Sequence, residues 1–147
     1  MNIKRLYKLK LGQVITVFNK PFTYVGHAYI ELDSGRRLRW LYDDEGRLLS
    51  VSPQDEELIL FREIQDELEP EDEVLMYQDK EYQFDCEDVG NVLENEGESV
   101  VEEEDRFIFS DYQLQGGEIV RLIENESTGE SSAYVGKYAS DEDVAQM

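Results

Sequence analysis

Apolar and polar residues alternate in short runs over most of this chain. In "VITVFNKPFTY" (14–24) the alternation selects Ile15, Val17, Phe22 and Tyr24, and a period of two puts those side chains on one face of a β-hairpin. The pattern returns sixty residues later in "VLMYQDKEYQF" (74–84), where Leu75, Tyr77, Tyr82 and Phe84 take the corresponding places. Asn19-Lys20 and Asp79-Lys80 read as the central pairs of two tight turns, because Asn and Asp tolerate positive φ.

Further blocks repeat in the same order. "RRLRWLYDDEGRLLSVS" (36–52) matches "RFIFSDYQLQGGEIVRLIE" (106–124), with Arg36, Leu38 and Tyr42 set against Arg106, Ile108 and Tyr112. "LILFREI" (58–64) is comparable to "SAYVGKY" (132–138). These blocks predict a single compact domain over 1–147, built of two pseudo-repeats at about 10–64 and 71–138. An acidic linker at 65–70, ending in Pro70, joins them. Units of some sixty residues bury too little surface to stand alone. The expected fold is therefore mainly β, with duplicated antiparallel units packed as a sandwich or as two abutting small barrels. Val17, Phe22, Tyr24, Trp40, Tyr77, Tyr82, Phe84 and Phe107 form the expected core.

Residues 52–68 carry a competing helical pattern, with Ser52 as N-cap, Pro53 at the first position, and Leu58, Phe61, Ile64 and Leu68 at helical spacing. The repeat favours a strand over 58–64. In the tail, Ser140 and Asp143 suit a capping box and a short C-terminal helix. Residues 85–105 are acidic and irregular, which predicts an exposed loop or short strands.

Charge changes the picture at the level of partners. The formal net charge is −21, unevenly spread: residues 1–47 hold nine Lys and Arg against five acids, and the remainder holds five against thirty. Such a surface repels nucleic acid and anionic membrane over most of its area and suits a basic protein partner. No apolar run approaches the ~20 residues that span a bilayer. The basic start lacks a signal peptide's apolar stretch, and the lone Cys86 fits a reducing compartment, so the expectation is a cytoplasmic protein without membrane insertion.

Little in the sequence speaks for chemistry. His27 is the only histidine, so any catalytic triad or Cys-His pair would have to use it, with Cys86 as its partner across the two repeats. One Cys and one His cannot supply a structural zinc site. "DDEG" (43–46) and "ENEGE" (94–98) offer oxygen ligands without calcium-loop spacing. Loose cation binding by the acids of 94–105 competes with the simpler reading of a solvated loop. "LQGGE" (114–118) reads as a hairpin turn. In "RRLRWLY" (36–42) alternation turns Leu38, Trp40 and Tyr42 inward and Arg37 and Arg39 outward, toward neighbouring acids, which argues against a stacking platform for single-stranded nucleic acid. The sequence thus assigns no catalytic, cofactor-binding or metal-binding residues and calls for no cofactor.

"LGQVITVFNKPFTYVG", "RLRWLYDDEGRLLSVS", "SDYQLQGGEIVRLIE" and "YVGKY" together resemble a bacterial family known as domain of unknown function 4178, across roughly residues 9–138. "LGQVITV" and "RWLYDDEGRLLSV" are the most specific parts. The resemblance implies a β-rich intracellular protein with no assigned activity, in a family often encoded near membrane-stress proteins of the phage-shock type. It defines no site residues, and this chain departs from it in the acidic stretch 94–105. The expected function is a non-enzymatic binding or adaptor module for a protein partner, linked to bacterial membrane stress. The alternative is an acidic inhibitor that imitates nucleic acid against a DNA-binding protein.

Overall fold

The first hairpin forms from β1 (Val14–Val17) and β2 (Lys20–Thr23), with Ile15 opposite Phe22 and Val17 opposite Lys20. The computed structural model, which describes residues 2–97 and 104–146, places positive φ at Phe18 and Asn19. The central pair of the turn is therefore Phe18-Asn19, one residue earlier than the sequence suggested. The second hairpin, β7 (Val74–Tyr77) with the start of β8 (Lys80–Gly97), has the same form. Leu75 faces Tyr82, Tyr77 faces Lys80, and positive φ falls on Gln78 and Asp79. Both central pairs match a type I′ turn, whose twist suits a two-residue hairpin.

Two four-stranded meanders make the rest. One consists of β3 (Gly26–Leu32), β4 (Arg37–Tyr42), β5 (Arg47–Ser52) and β6 (Glu57–Ile64); the other consists of β8, β9 (Arg106–Gln113), β10 (Glu118–Asn125) and β11 (Ser131–Ala139). Their edges pair antiparallel, β6 with β11 and β3 with β8, which closes one eight-stranded barrel. Closure satisfies the edge N–H and C=O groups that each meander would otherwise expose. This replaces the expected sandwich or pair of barrels: each half is an open sheet, and only the other half completes it. Residues 58–64 lie in β6, so long-range pairing overrides the local helical pattern.

The seams are tight. Gly136 on β11 lies opposite Phe61 on β6, where an added Cβ would come within 2.5 Å of the Phe61 ring. At the other seam Gly90 lies opposite Leu32, and an added Cβ would sit 2.8 Å from the Glu31 carbonyl oxygen. At each seam a glycine from the second meander faces a large side chain from the first.

Side chains fill the barrel interior. Trp40 packs edge-on to Phe109 at 5.3 Å between centroids, Phe107 stacks on Phe109, and Ile30, Leu48, Phe61 and Ile119 complete the layer. The hairpins cover the outside. Ile15, Val17, Phe22 and Tyr24 pack on Leu41, Leu49, Val51 and Leu58, while Leu75, Tyr77 and Tyr82 pack on Tyr112, Val120 and Val135. Seven of the eight expected core residues are buried, and Phe84 is not. Phe84 keeps the face of Tyr82 and packs edge-on to Tyr112 at 5.6 Å, but it lies past the span that β7 pairs and is 38% exposed; a bulge follows it, before Cys86.

Some elements differ from expectation. A five-residue helix, α1 (Ile3–Tyr7), packs Leu6 into the first hairpin's cluster. The tail forms a single 3-10 turn at Asp141–Asp143 with the Ser140/Asp143 capping box, then β12 (Val144–Gln146), which joins β1 and β2 in a small sheet. The expected irregular segment 85–105 is strand as far as Gly97; residues 98–103 lie outside the described ones, and with them half of the acidic stretch 94–105. No helix among the described residues is long and apolar enough to cross a membrane.

Candidate functional site

Three regions gather polar chemistry onto this frame. The first lies on the outer face of the β3–β8 seam, beneath α1. Arg39, expected to point to solvent, is 2% exposed. Alternation does direct it out of the barrel, but α1 covers that face. Its guanidinium donates to the carbonyls of Leu6 (3.0 Å), Tyr7 and Leu9 (2.7 Å), closing the C-terminal end of α1, and to the Tyr24 hydroxyl at 2.6 Å. Cations are favoured where helix carbonyls lack partners. Arg37 stays exposed and pairs with Glu31.

The Tyr24 hydroxyl also bonds Nδ1 of His27, a side chain 5% exposed. His27 and Glu96 are direct cross-strand partners, with Nε2 4.0 Å from a Glu96 carboxylate oxygen. Glu94, opposite Tyr29, shares that face, and ligand atoms of His27, Glu94 and Glu96 lie within 4.8 Å of one another. Burial, assisted by the Arg39 charge, pushes the His27 pKa below its ordinary value, against the pull of Glu96 and Glu94. The imidazole is therefore held neutral. Burial likewise pushes the Tyr24 phenol up to about 12.

The second region is inside the barrel. Arg121 and Asp111 are cross-strand partners joined by two hydrogen bonds, 2.8 and 3.0 Å, and the guanidinium lies over the Phe61 ring. Cys86 Sγ is 3.8 Å from Asp111, and burial with that carboxylate pushes its thiol up to about 12. Such a thiol stays protonated at neutral pH and makes a poor nucleophile. The Cys86–His27 pair that the sequence raised does not form. The strand partner of His27 is ten residues beyond Cys86 along β8, roughly 30 Å of strand.

The third region is a groove of about 860 Å³ on the outer face of the β6–β11 seam. Its floor is two cross-strand pairs, Leu60 with Lys137 and Arg62 with Val135, and the turn of the first hairpin borders it through Phe18 and Lys20. Lys137 sits 4.3 Å from the centre of the Phe18 ring. Arg47 also borders the groove and is engaged by Asp43 at 2.6 Å. Lys20 and Arg62 are exposed and have no acidic partner among the described residues. Glu118 is the only acid among the residues lining it.

Sequence reasoning weighed His27 with Cys86 rather than with Glu94 and Glu96, and passed over Arg62 and Lys137. Strand pairing across the seams brings these groups together, and no local spacing records it. Acids at alternate positions, Glu94 and Glu96, were the one signal that could have pointed to a shared face.

No curated protein and no solved structure matches the chain. A family model described as a domain of unknown function (DUF4178) matches residues 10–141, most of its length, and the chain belongs to that family.

Proposed function

We propose that this protein is a non-enzymatic binding module whose groove along the β6–β11 seam takes an extended, acidic and partly aliphatic segment of a protein partner. The observation that carries the reading is the chemistry of that groove. On a chain of net charge −21, it joins Lys20, Arg62 and Lys137 to the apolar surface of Phe18, Leu60 and Val135. Apolar area supplies affinity, and the cations select the sign of the occupant. A basic partner, expected from overall charge, would instead meet a smaller groove of about 640 Å³, where Asp66, Glu67, Glu69 and Glu124 stand beside Leu68 and Leu122. The non-enzymatic reading is supported by the neutral, internally bonded His27 and the protonated Cys86, which stand far apart.

The reading includes an internal duplication. Beyond the matching hairpins, the β4–β5 and β9–β10 turns are each four residues long and closed alike, Asp43 N–H to the Arg47 carbonyl and Leu114 N–H to the Glu118 carbonyl. This register sets Leu41, not Tyr42, against Tyr112, and both face outward under a hairpin. Phe61 and Gly136 then correspond and also face each other, as do Leu32 and Gly90. A twofold axis through both seams requires that coincidence. The groove lies on this axis, with Leu60 and Arg62 from one half and Val135 and Lys137 from the other.

One observation favours the nucleic-acid mimic as a second reading. Glu81, Asp85 and Glu87 are all exposed along the one strand β8, as carboxylates standing in for a row of phosphates would be. A photo-crosslinking side chain at position 62, compared with one at position 87, separates the two. Groove binding predicts crosslinks from position 62 to acidic-aliphatic peptides. Crosslinks from position 87 alone, to DNA-binding proteins, would favour mimicry and sink the groove.

A further inference from the structure

The cluster at the β3–β8 seam has a use that peptide binding leaves open. His27, Glu94 and Glu96 come from two adjacent strands and share one face of the sheet. Their ligand atoms already lie within 4.8 Å of one another, and the two glutamates are exposed and free to adjust. A first-row cation bound 2.0–2.2 Å from each atom needs only small rotations of those side chains. We propose that His27, Glu94 and Glu96 bind a divalent transition metal of the zinc class on the outer face of this seam.

Two features separate this place from an ordinary acidic patch. The imidazole is buried and fixed: its Nδ1 is bonded to Tyr24, whose hydroxyl is held in turn by Arg39. A partner of that kind on the far nitrogen orients a metal-ligating histidine. The near nitrogen, Nε2, faces Glu96 at 4.0 Å, too far for a hydrogen bond and well placed to share an ion with it. The charge balance points the same way. Two exposed carboxylates converge there on a chain of net charge −21, and a divalent cation would offset them. One nitrogen with two oxygens suits zinc or its neighbours, and a histidine in the set distinguishes the site from calcium or magnesium loops. Three protein ligands leave coordination positions for water or for a group on a partner. Lying on the opposite seam from the groove, the site stands or falls independently of peptide binding.

The test exploits the single histidine. In protein labelled with 15N-histidine, every imidazole resonance belongs to His27. Titration with Zn2+ should shift Nε2 strongly, leave Nδ1 protonated, and saturate at one equivalent. Because Glu94 and Glu96 are exposed, Glu94→Gln/Glu96→Gln should fold normally and weaken the His27 titration by about 100-fold, with Tyr24→Phe weakening it by about 10-fold. Zn2+ binding that leaves the His27 resonances unmoved would assign the metal to the diffuse acidic surface and overturn the proposal. So would a His27 titration unchanged in the double variant, or a lack of saturation at millimolar Zn2+.

Discussion

At Arg39 one guanidinium serves three main-chain carbonyls of the N-terminal segment and the hydroxyl of Tyr24. A five-residue helix has almost no stability of its own, so this side chain and the burial of Leu6 hold it in place. Replacing Arg39 by Met keeps the length and removes the donors. The expected loss is about 3 kcal/mol, from stranded acceptors rather than lost charge. The variant should also expose Lys4, Arg5, Lys8 and Lys10 to trypsin, with cleavage read by mass spectrometry before the barrel unfolds. Resistance equal to wild type would show that Leu6 alone anchors the segment.

His27 gives a second prediction at this scale. Its folded-state pKa lies below the ordinary value of 6.5, through burial and the neighbouring Arg39. The unfolded chain therefore takes up the proton first as pH falls. The stability this group contributes is complete above about pH 6.5 and is lost progressively below it. In His27→Gln that slope is absent. With chelator present, the difference in melting temperature between wild type and variant should narrow from pH 7.5 to 5.5. A constant difference would mean that the imidazole titrates as freely in the fold as outside it.

Among the elements, the strands were plain in the sequence because hairpins and half-buried strands write their faces into alternation. Ile15, Val17, Phe22 and Tyr24 show this, as do Leu75, Tyr77 and Tyr82. Phe84 was assigned the right face, beside Tyr82 and against Tyr112, but it lies past the span that β7 pairs, and alternation does not say where cover ends. Arg39 was assigned the correct face but the wrong environment, since "IKRLY" carries too short a pattern to announce the helix that covers it. The candidate sites were hidden more deeply. His27 meets Glu96, and Arg62 meets Val135, only through seam pairing between distant strands. The seams make a prediction of their own. Gly136→Ala forces a methyl against the Phe61 ring and should cost about 1–3 kcal/mol. Adding Phe61→Leu to it should recover part of that loss in a double-mutant cycle. Simple additivity in chemical denaturation would show that the seam relaxes without the ring.

For the whole molecule, two open meanders become one barrel packed with its own side chains apart from a pocket of about 340 Å³ beside Trp40, Phe107 and Tyr134, and the proposed recognition surface lies on the outside. There the hairpins cover most of the apolar surface and leave the β6–β11 seam between them. The central claim is that this seam selects acidic-aliphatic segments. Selection of a random peptide library on the immobilised protein tests it most directly, run in parallel on Arg62→Glu/Lys137→Glu, two exposed positions whose reversal leaves the core untouched. Wild type should enrich sequences that interleave Asp or Glu with Leu, Ile or Val. The reversed variant should lose them, and rising salt should weaken them. Enrichment of basic peptides, undiminished in the reversed variant, would contradict the account and place recognition on the acidic half.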